Sequence, residues 1–174
     1  MPSAFDAFIA LVWAGEGPGL DTTRSDRGNW TGGQVGVGDL RGSKRGISAM
    51  AYPTLDIANL TDDQARAIYR QDYWARIAGD SLPAAVAVLV GDEAVNQGIG
   101  AAARDLQAAV GLAQDGAIGP VTVAAVRAKN DICALVEEIT ARRAVRYAGT
   151  GTFPTFGIGW MRRLAHATAI CLHL

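Results

Sequence analysis

The chain is short of charge, of cysteine and of histidine, and each shortage narrows what it can do. Charged residues make up only 19% and the formal net charge is −1, so no broad cationic surface draws the protein onto nucleic acid or anionic lipid. No apolar run reaches the length of a membrane-spanning helix, so stable membrane insertion is not expected. The two cysteines, Cys133 and Cys171, form no Cys-x-x-Cys pair and read as two buried thiols. The two histidines, His166 and His173, have no Cys, Asp or Glu cluster beside them, so neither a metal site nor a cofactor is expected. No Ser-His-Asp or Cys-His arrangement is signalled, which removes peptidase chemistry. "GVGDLRGSKRG" lacks both the spacing of a phosphate loop and the third glycine of a dinucleotide fingerprint, and reads as a flexible flap. The start of the chain lacks a Lys/Arg-bearing leader, and "FIALVWAG" is short and flanked by Asp6 and Glu16. That predicts no signal peptide and a cytoplasmic protein.

What is present is helix. Ser3 caps a segment whose apolar residues Phe5, Phe8, Ile9, Val12 and Trp13 recur at helical spacing, a buried stripe ended by Gly15, Gly17, Pro18 and Gly19. Residues 17–53 are glycine-rich, polar and aperiodic, with room for one short hairpin within 20–48, and a loop of that length is usually functional. Thr61 and Gln64 form a capping box for "DDQARAIYRQDYWARIAG", read as one helix stopping at Gly79. "LPAAVAVLVGDEAVNQG" opens with Pro83 and is apolar nearly all round, as a central buried helix must be. "AAARDLQAAVG", "PVTVAAVRAK", "DICALVEEITARRAVRYAG" and "GWMRRLAHATAICL" complete a mainly α fold. Asp115-Gly116 marks a turn in the link between the first two of these.

Glu16 raises the chemical question. It lies four residues after Val12 and eight after Phe8, so it continues the buried stripe. A half-desolvated carboxyl at the negative end of a helix dipole favours its protonated form, with Trp13 as an apolar wall. A protonated carboxyl is what a glycosidase needs to protonate the leaving oxygen of a sugar bond. The loop that follows carries Asp21, Asp26 and Thr31. Asp26 reads as a carboxylate that holds water or steadies positive charge at the anomeric carbon, with Thr31 helping to place it. The plainer reading of Asp26 is an Asx turn before Gly. Trp30 sits in the polar loop and is the aromatic expected to meet a sugar ring, whereas Tyr69 and Tyr73 fall at core spacing. Asn96 and Gln97 close the central helix, and the Asn96 amide is a candidate for an N-acetyl group.

Taken in order, "AFIALVWAGEGPG", "SDRGNWTGG", "KRGIS", "LTDDQARAIYRQDYW", "LPAAVAVLVGDEAVNQG", "LQAAVGLAQDGAIGP" and "FGIGWMRR" closely resemble glycoside hydrolase family 108, phage-type endolysins acting as N-acetylmuramidases. The resemblance implies a lysozyme-like helical fold. It implies a catalytic part over residues 1–80 and a helical peptidoglycan-binding-like part over 81–174, packed as one globule. It places the family's catalytic Glu on Glu16, its Asp on Asp26 and the following Thr on Thr31, and brings Ser48 into the site through the Gly46-Ile47-Ser48 motif. Two departures stand out: Glu-Gly-Pro replaces Glu-Gly-Gly, and Asp26-Arg27-Gly28-Asn29 replaces Asp-Pro-Gly-Gly. The insertion "GGQVGVGDLRGSKR" separates Thr31 from Gly46, and Asp21 stays open beside Asp26 as the partner carboxylate. The implied function is hydrolysis of the β-1,4 bond between N-acetylmuramic acid and N-acetylglucosamine in peptidoglycan. The protein would lyse cells from the wall side after holin-dependent release. A lytic transglycosylase using the same glutamate, and a non-catalytic wall-binding or secretion-assisting protein, are the competing readings.

Overall fold

A computed structural model describes residues 3–174 and is mainly α, with seven helices and one two-stranded hairpin among those residues. Helix α1 (Ala4–Trp13) begins with a reciprocal cap: Ser3 Oγ accepts from Asp6 N at 3.1 Å, and Ser3 N donates to the Asp6 carboxylate, also at 3.1 Å. Phe5, Phe8, Ile9 and Val12 are buried, as the apolar spacing requires; Leu11 joins them, and Trp13 is only half-buried. By internal packing the chain forms two units, one of Ile9–Tyr69 and one joining residues up to Phe8 with Arg70–Leu174.

In the unit Ile9–Tyr69, the glycine-rich segment folds back on itself rather than hanging free. A short 3₁₀ turn (Arg27–Asn29) leads to a bridge between Trp30 and Leu40, and Asp21 bridges to Ser43. Strands β1 (Ser43–Lys44) and β2 (Ile47–Ser48) pair antiparallel with Ser43 opposite Ser48. The two residues between them, Arg45 (φ 53°) and Gly46 (φ 75°), both have positive φ, the primed turn that matches strand twist. Asn29 is fully buried beneath this meander, and its carbonyl accepts from both Arg41 N and Gly42 N at 3.0 Å. Helix α2 (Asp62–Tyr69) starts with the expected capping box, Thr61 N to Gln64 Oε1 at 2.9 Å and Gln64 N to Thr61 Oγ1 at 3.2 Å.

The helix does not run on to Gly79 as its sequence suggests. It ends at Tyr69 and gives way to a π turn over Arg70–Trp74, and Ala78 is left-handed. In the unit that holds residues 70–174, the π turn accompanies a Trp74 ring packed against Phe5 and Phe8, with centroids 5.5 and 5.3 Å away. Gly79 is bare because the Trp74 ring occupies the place of its side chain.

Helix α3 (Ala84–Gln97) is the axis of this unit, buried continuously from Ala85 to Ala94 and packed by α4 (Ile99–Val110), α6 (Ile132–Ala148) and α7 (Phe153–Cys171). Gly91 admits the Phe8 ring, which lies 2.8 Å from where a Cβ would stand. Each fully buried Val or Leu of α3 contributes about 1.5–3 kcal/mol, which fixes this helix as the core. Helix α5 (Pro120–Arg127) carries Pro at its first position, and α4 ends on left-handed Gly111. Helix α7 begins at Phe153, earlier than the segment from Gly159 suggests. Cys171 is buried and free, but Cys133 is free and exposed, contrary to the expectation of two buried thiols: it faces outward from the first turn of α6.

Candidate active site

Glu16 is not the half-buried end of the α1 stripe. The helix stops at Trp13, the Glu16 N–H closes a tight turn onto the Trp13 carbonyl at 3.0 Å, and the side chain is exposed. Gly15 and Gly17 supply the physical reason: the backbone leaves helical geometry before the periodicity can carry position 16 inward. The exposed carboxyl is a correction to the half-buried position that the spacing predicts.

What surrounds Glu16 is the hairpin turn. A Cβ on Gly46 would stand 3.5 Å from Glu16 Cδ and 2.5 Å from Tyr69 Oη, so the carboxyl lies over bare backbone with the tyrosine hydroxyl beside it. Arg45 is tied at three points. Its guanidinium lies 4.4 Å over the Trp13 ring, forks onto Asp62 at 2.9 and 2.8 Å, and its carbonyl accepts from Tyr69 Oη at 2.9 Å. The Arg45 hydrogen bond holds the Asp62 carboxyl below the usual carboxylate range. Glu16 itself makes no side-chain hydrogen bond among the described residues, so both its oxygens are available to a ligand.

The hairpin also collects Asp21 and Ser48. Asp21 exchanges two 2.8 Å backbone bonds with Ser43, directly across from Ser48. Its carboxylate accepts from Thr23 Oγ1 at 2.6 Å and Thr23 N at 2.8 Å, in that order the main causes that hold it below its ordinary value. Asp26 is exposed, and its Oδ1 accepts from Gly28 N at 2.8 Å as the cap of the 3₁₀ turn, the Asx geometry its sequence allows. Trp30 is half-buried with its indole N–H spent on the Arg24 carbonyl at 2.9 Å. Thr31 Oγ1 accepts from Asp39 N at 2.8 Å and so closes the loop 31–39. Asp26, Trp30 and Thr31 thus share one meander, whose backbone bonds reach the β1 end at Gly42, while Glu16 stands at the hairpin tip. Asn96 belongs to the helical unit, where its amide donates to the Asp92 carbonyl at 2.7 Å.

Sequence reasoning missed Arg45, Asp62 and Tyr69. The signal was "SKRGIS", a Gly-containing pair between short β-prone segments, which is a two-residue hairpin cue. The unit also holds a groove of about 490 Å³ lined by Leu20, Thr22, Leu40, Arg41 and Thr54 among others, a mix of apolar faces and hydrogen-bonding groups that suits a sugar.

The helical unit contains a second set of charges, all inside. Asp92 and Arg143 are fully buried and paired at 2.8 Å, and Arg163 adds a fork to Asp92 at 3.1 and 2.7 Å. Glu93 is fully buried as well, and its oxygens find no donor among the described residues. Burial pushes its carboxyl up to about 9 against the pull of Arg143, so at neutral pH it is an uncharged acid that keeps its proton and turns it toward the Asp105 carboxylate. Burial raises Asp105 too, but the Arg146 fork at 3.0 and 2.5 Å and the Glu93 proton outweigh it and hold Asp105 below its usual value. Two ionised carboxylates would only repel in this place. Among the described residues no group of His, Cys, Asp and Glu is arranged to hold a metal ion, and no helix is long and apolar enough to cross a membrane.

Residues 9–98 match the protein family described as Glycosyl hydrolase 108, a span that takes in Glu16, the meander, the hairpin and all of α2 and α3. Among solved structures the chain is similar to that titled "Structure of Brucella abortus SagA", with a TM-score of 0.78 and 31% sequence identity, covering 97% of this chain and 94% of that one. No curated protein matches the chain.

Proposed function

The chain belongs to the glycosyl hydrolase 108 family, and from that premise we propose that it is an N-acetylmuramidase that uses Glu16 as general acid. Its substrate is the β-1,4 bond between N-acetylmuramic acid and N-acetylglucosamine in peptidoglycan. The observation that carries the reading is the exposed Glu16 carboxyl over the bare Gly46 turn, with both oxygens unengaged. A glycan laid across the hairpin covers that carboxyl and shuts it away from water. Glu16 gives its proton to the glycosidic oxygen as the bond to the anomeric carbon breaks, and positive charge develops on the sugar ring. Water then adds to the anomeric carbon and gives up a proton. Asp26 receives that proton or steadies the charge through the oxygen not used in its cap, and Thr31, Trp30 and Ser48 are carried as accessory contacts. In this reading residues 81–174 add wall contact, and the protein acts as an endolysin released through a holin.

A second reading has its own observation in favour. Both candidate partner carboxylates, Asp21 and Asp26, are occupied in closing local turns. A lytic transglycosylase needs no second carboxylate: the muramic C6 hydroxyl closes on the anomeric carbon, and Glu16 takes back its proton. Purified peptidoglycan digested by the protein and analysed by mass distinguishes the two. Reducing muramic ends support hydrolysis, 1,6-anhydro ends support transglycosylation, and the absence of new ends with wall binding intact leaves a binding protein.

A further inference from the structure

An exposed glutamate just past a helix end, with no hydrogen bond to its carboxyl, would ordinarily wander among rotamers. A general acid must instead hold its proton within hydrogen-bond reach of one glycosidic oxygen. Confinement of Glu16 therefore has to come from shape, and the shape beside it is the Arg45–Gly46 turn. We propose that Tyr69 is a positioning residue for the Glu16 carboxyl, acting through that turn; the proposal rests on the general-acid reading above.

Three facts meet at this point. Tyr69 is almost fully buried as the last residue of α2, so its ring cannot move without unpacking the helix end. Its hydroxyl donates to the Arg45 carbonyl at 2.9 Å, and Arg45 is held in the left-handed region, a conformation that a non-glycine residue keeps only when its surroundings insist. The same hydroxyl and the Glu16 carboxyl flank one spot, 2.5 and 3.5 Å from where a Gly46 side chain would begin. The hydroxyl thus fixes the backbone beside which the carboxyl lies. Asp62 holds the guanidinium of Arg45 from the first turn of the same helix, and Trp13 holds it from the end of α1. The turn is therefore fastened to the helix end from which Glu16 departs. Because the hydroxyl proton is committed to a carbonyl, Tyr69 leaves the acid free to donate to substrate.

The test compares wild type, Tyr69→Phe and Thr61→Ala on soluble, uncross-linked glycan strands, with kcat and KM measured per folded molecule and Tm recorded. Thr61→Ala weakens the α2 cap while leaving Tyr69 and its bond to the Arg45 carbonyl in place, so it shows what loss of stability without loss of the hydroxyl does. Tyr69→Phe is expected to lower kcat about tenfold or more with KM within about twofold, while Thr61→Ala keeps wild-type kcat at a comparable fall in Tm. An unchanged kcat in Tyr69→Phe, or a change confined to KM, overturns the proposal and leaves the general-acid reading standing. A wild type that cuts nothing, or a Glu16→Gln variant as fast as wild type, overturns both.

Discussion

Glu16 and Glu93 are the same side chain in opposite surroundings. Glu16 stands in water at the tip of a hairpin, unbonded and reachable. Glu93 is sealed in the axis of the helical unit, where burial has already made it a neutral acid beside an ionised Asp105. By protonation state alone Glu93 would pass for a catalytic acid. It has no path to a polymer, however, and the charges around it are bound to one another. A usable acid needs access first, and an incoming glycan can supply the low-polarity environment afterwards. The buried charges of the helical unit pair with one another across α3, α4, α6 and α7, whereas the Glu16 carboxyl stands outside and unengaged.

The comparison can be broken at several strengths. Arg143→Met would leave Asp92 and Glu93 without their buried partner, and should cost about 3–5 kcal/mol of stability, read as a large fall in the denaturant midpoint with no intrinsic effect on Glu16. Next comes Glu16→Asp, which keeps a carboxyl but withdraws it from the turn. Turnover should fall about 10²-fold with Tm unmoved, since the residue buries nothing. The Glu93 contribution to stability carries a definite sign. Its folded value lies near 9 and its ordinary value is 4.5, so the native state binds the extra proton between those limits. Stability is therefore full below about 4.5, falls as pH rises from there toward 9, and levels off above. Glu93→Gln should flatten that decline in a Tm-versus-pH series, and a slope unchanged from wild type would contradict the assignment. The smallest effect concerns Asp26→Asn. An amide oxygen still caps Gly28, so the fold should hold while hydrolysis slows about tenfold, whereas undiminished turnover with anhydro ends would favour the transglycosylase.

The helices were legible because their signals are local. Ser3 with Asp6, Thr61 with Gln64, Pro120 and Gly111 each mark an end through bonds made within one turn. The apolar density of residues 84–91 likewise announced a buried helix. Periodicity misled at position 16, because two flanking glycines released the chain before the stripe could continue, and at 70–79, where the helix changes to a π turn as Trp74 packs on Phe5 and Phe8. Around Glu16 the sequence offered the hairpin cue and Trp13 but not the side chains that fasten the turn. Tyr69 reaches Arg45 across 24 positions and Arg45 reaches Asp62 across 17, pairings that only the folded meander creates. The buried charges at 92 and 93 went unread, because their partners Arg143 and Arg163 lie far along the chain on α6 and α7.

The most direct test sets Glu16→Gln beside Glu93→Gln on the same purified peptidoglycan, scoring new glycan ends per folded molecule and Tm across pH. Loss of end formation in the first at an unchanged Tm, with wild-type end formation and a flattened Tm profile in the second, is the predicted result. Continued cutting by Glu16→Gln, or its loss in Glu93→Gln alone, would contradict the account.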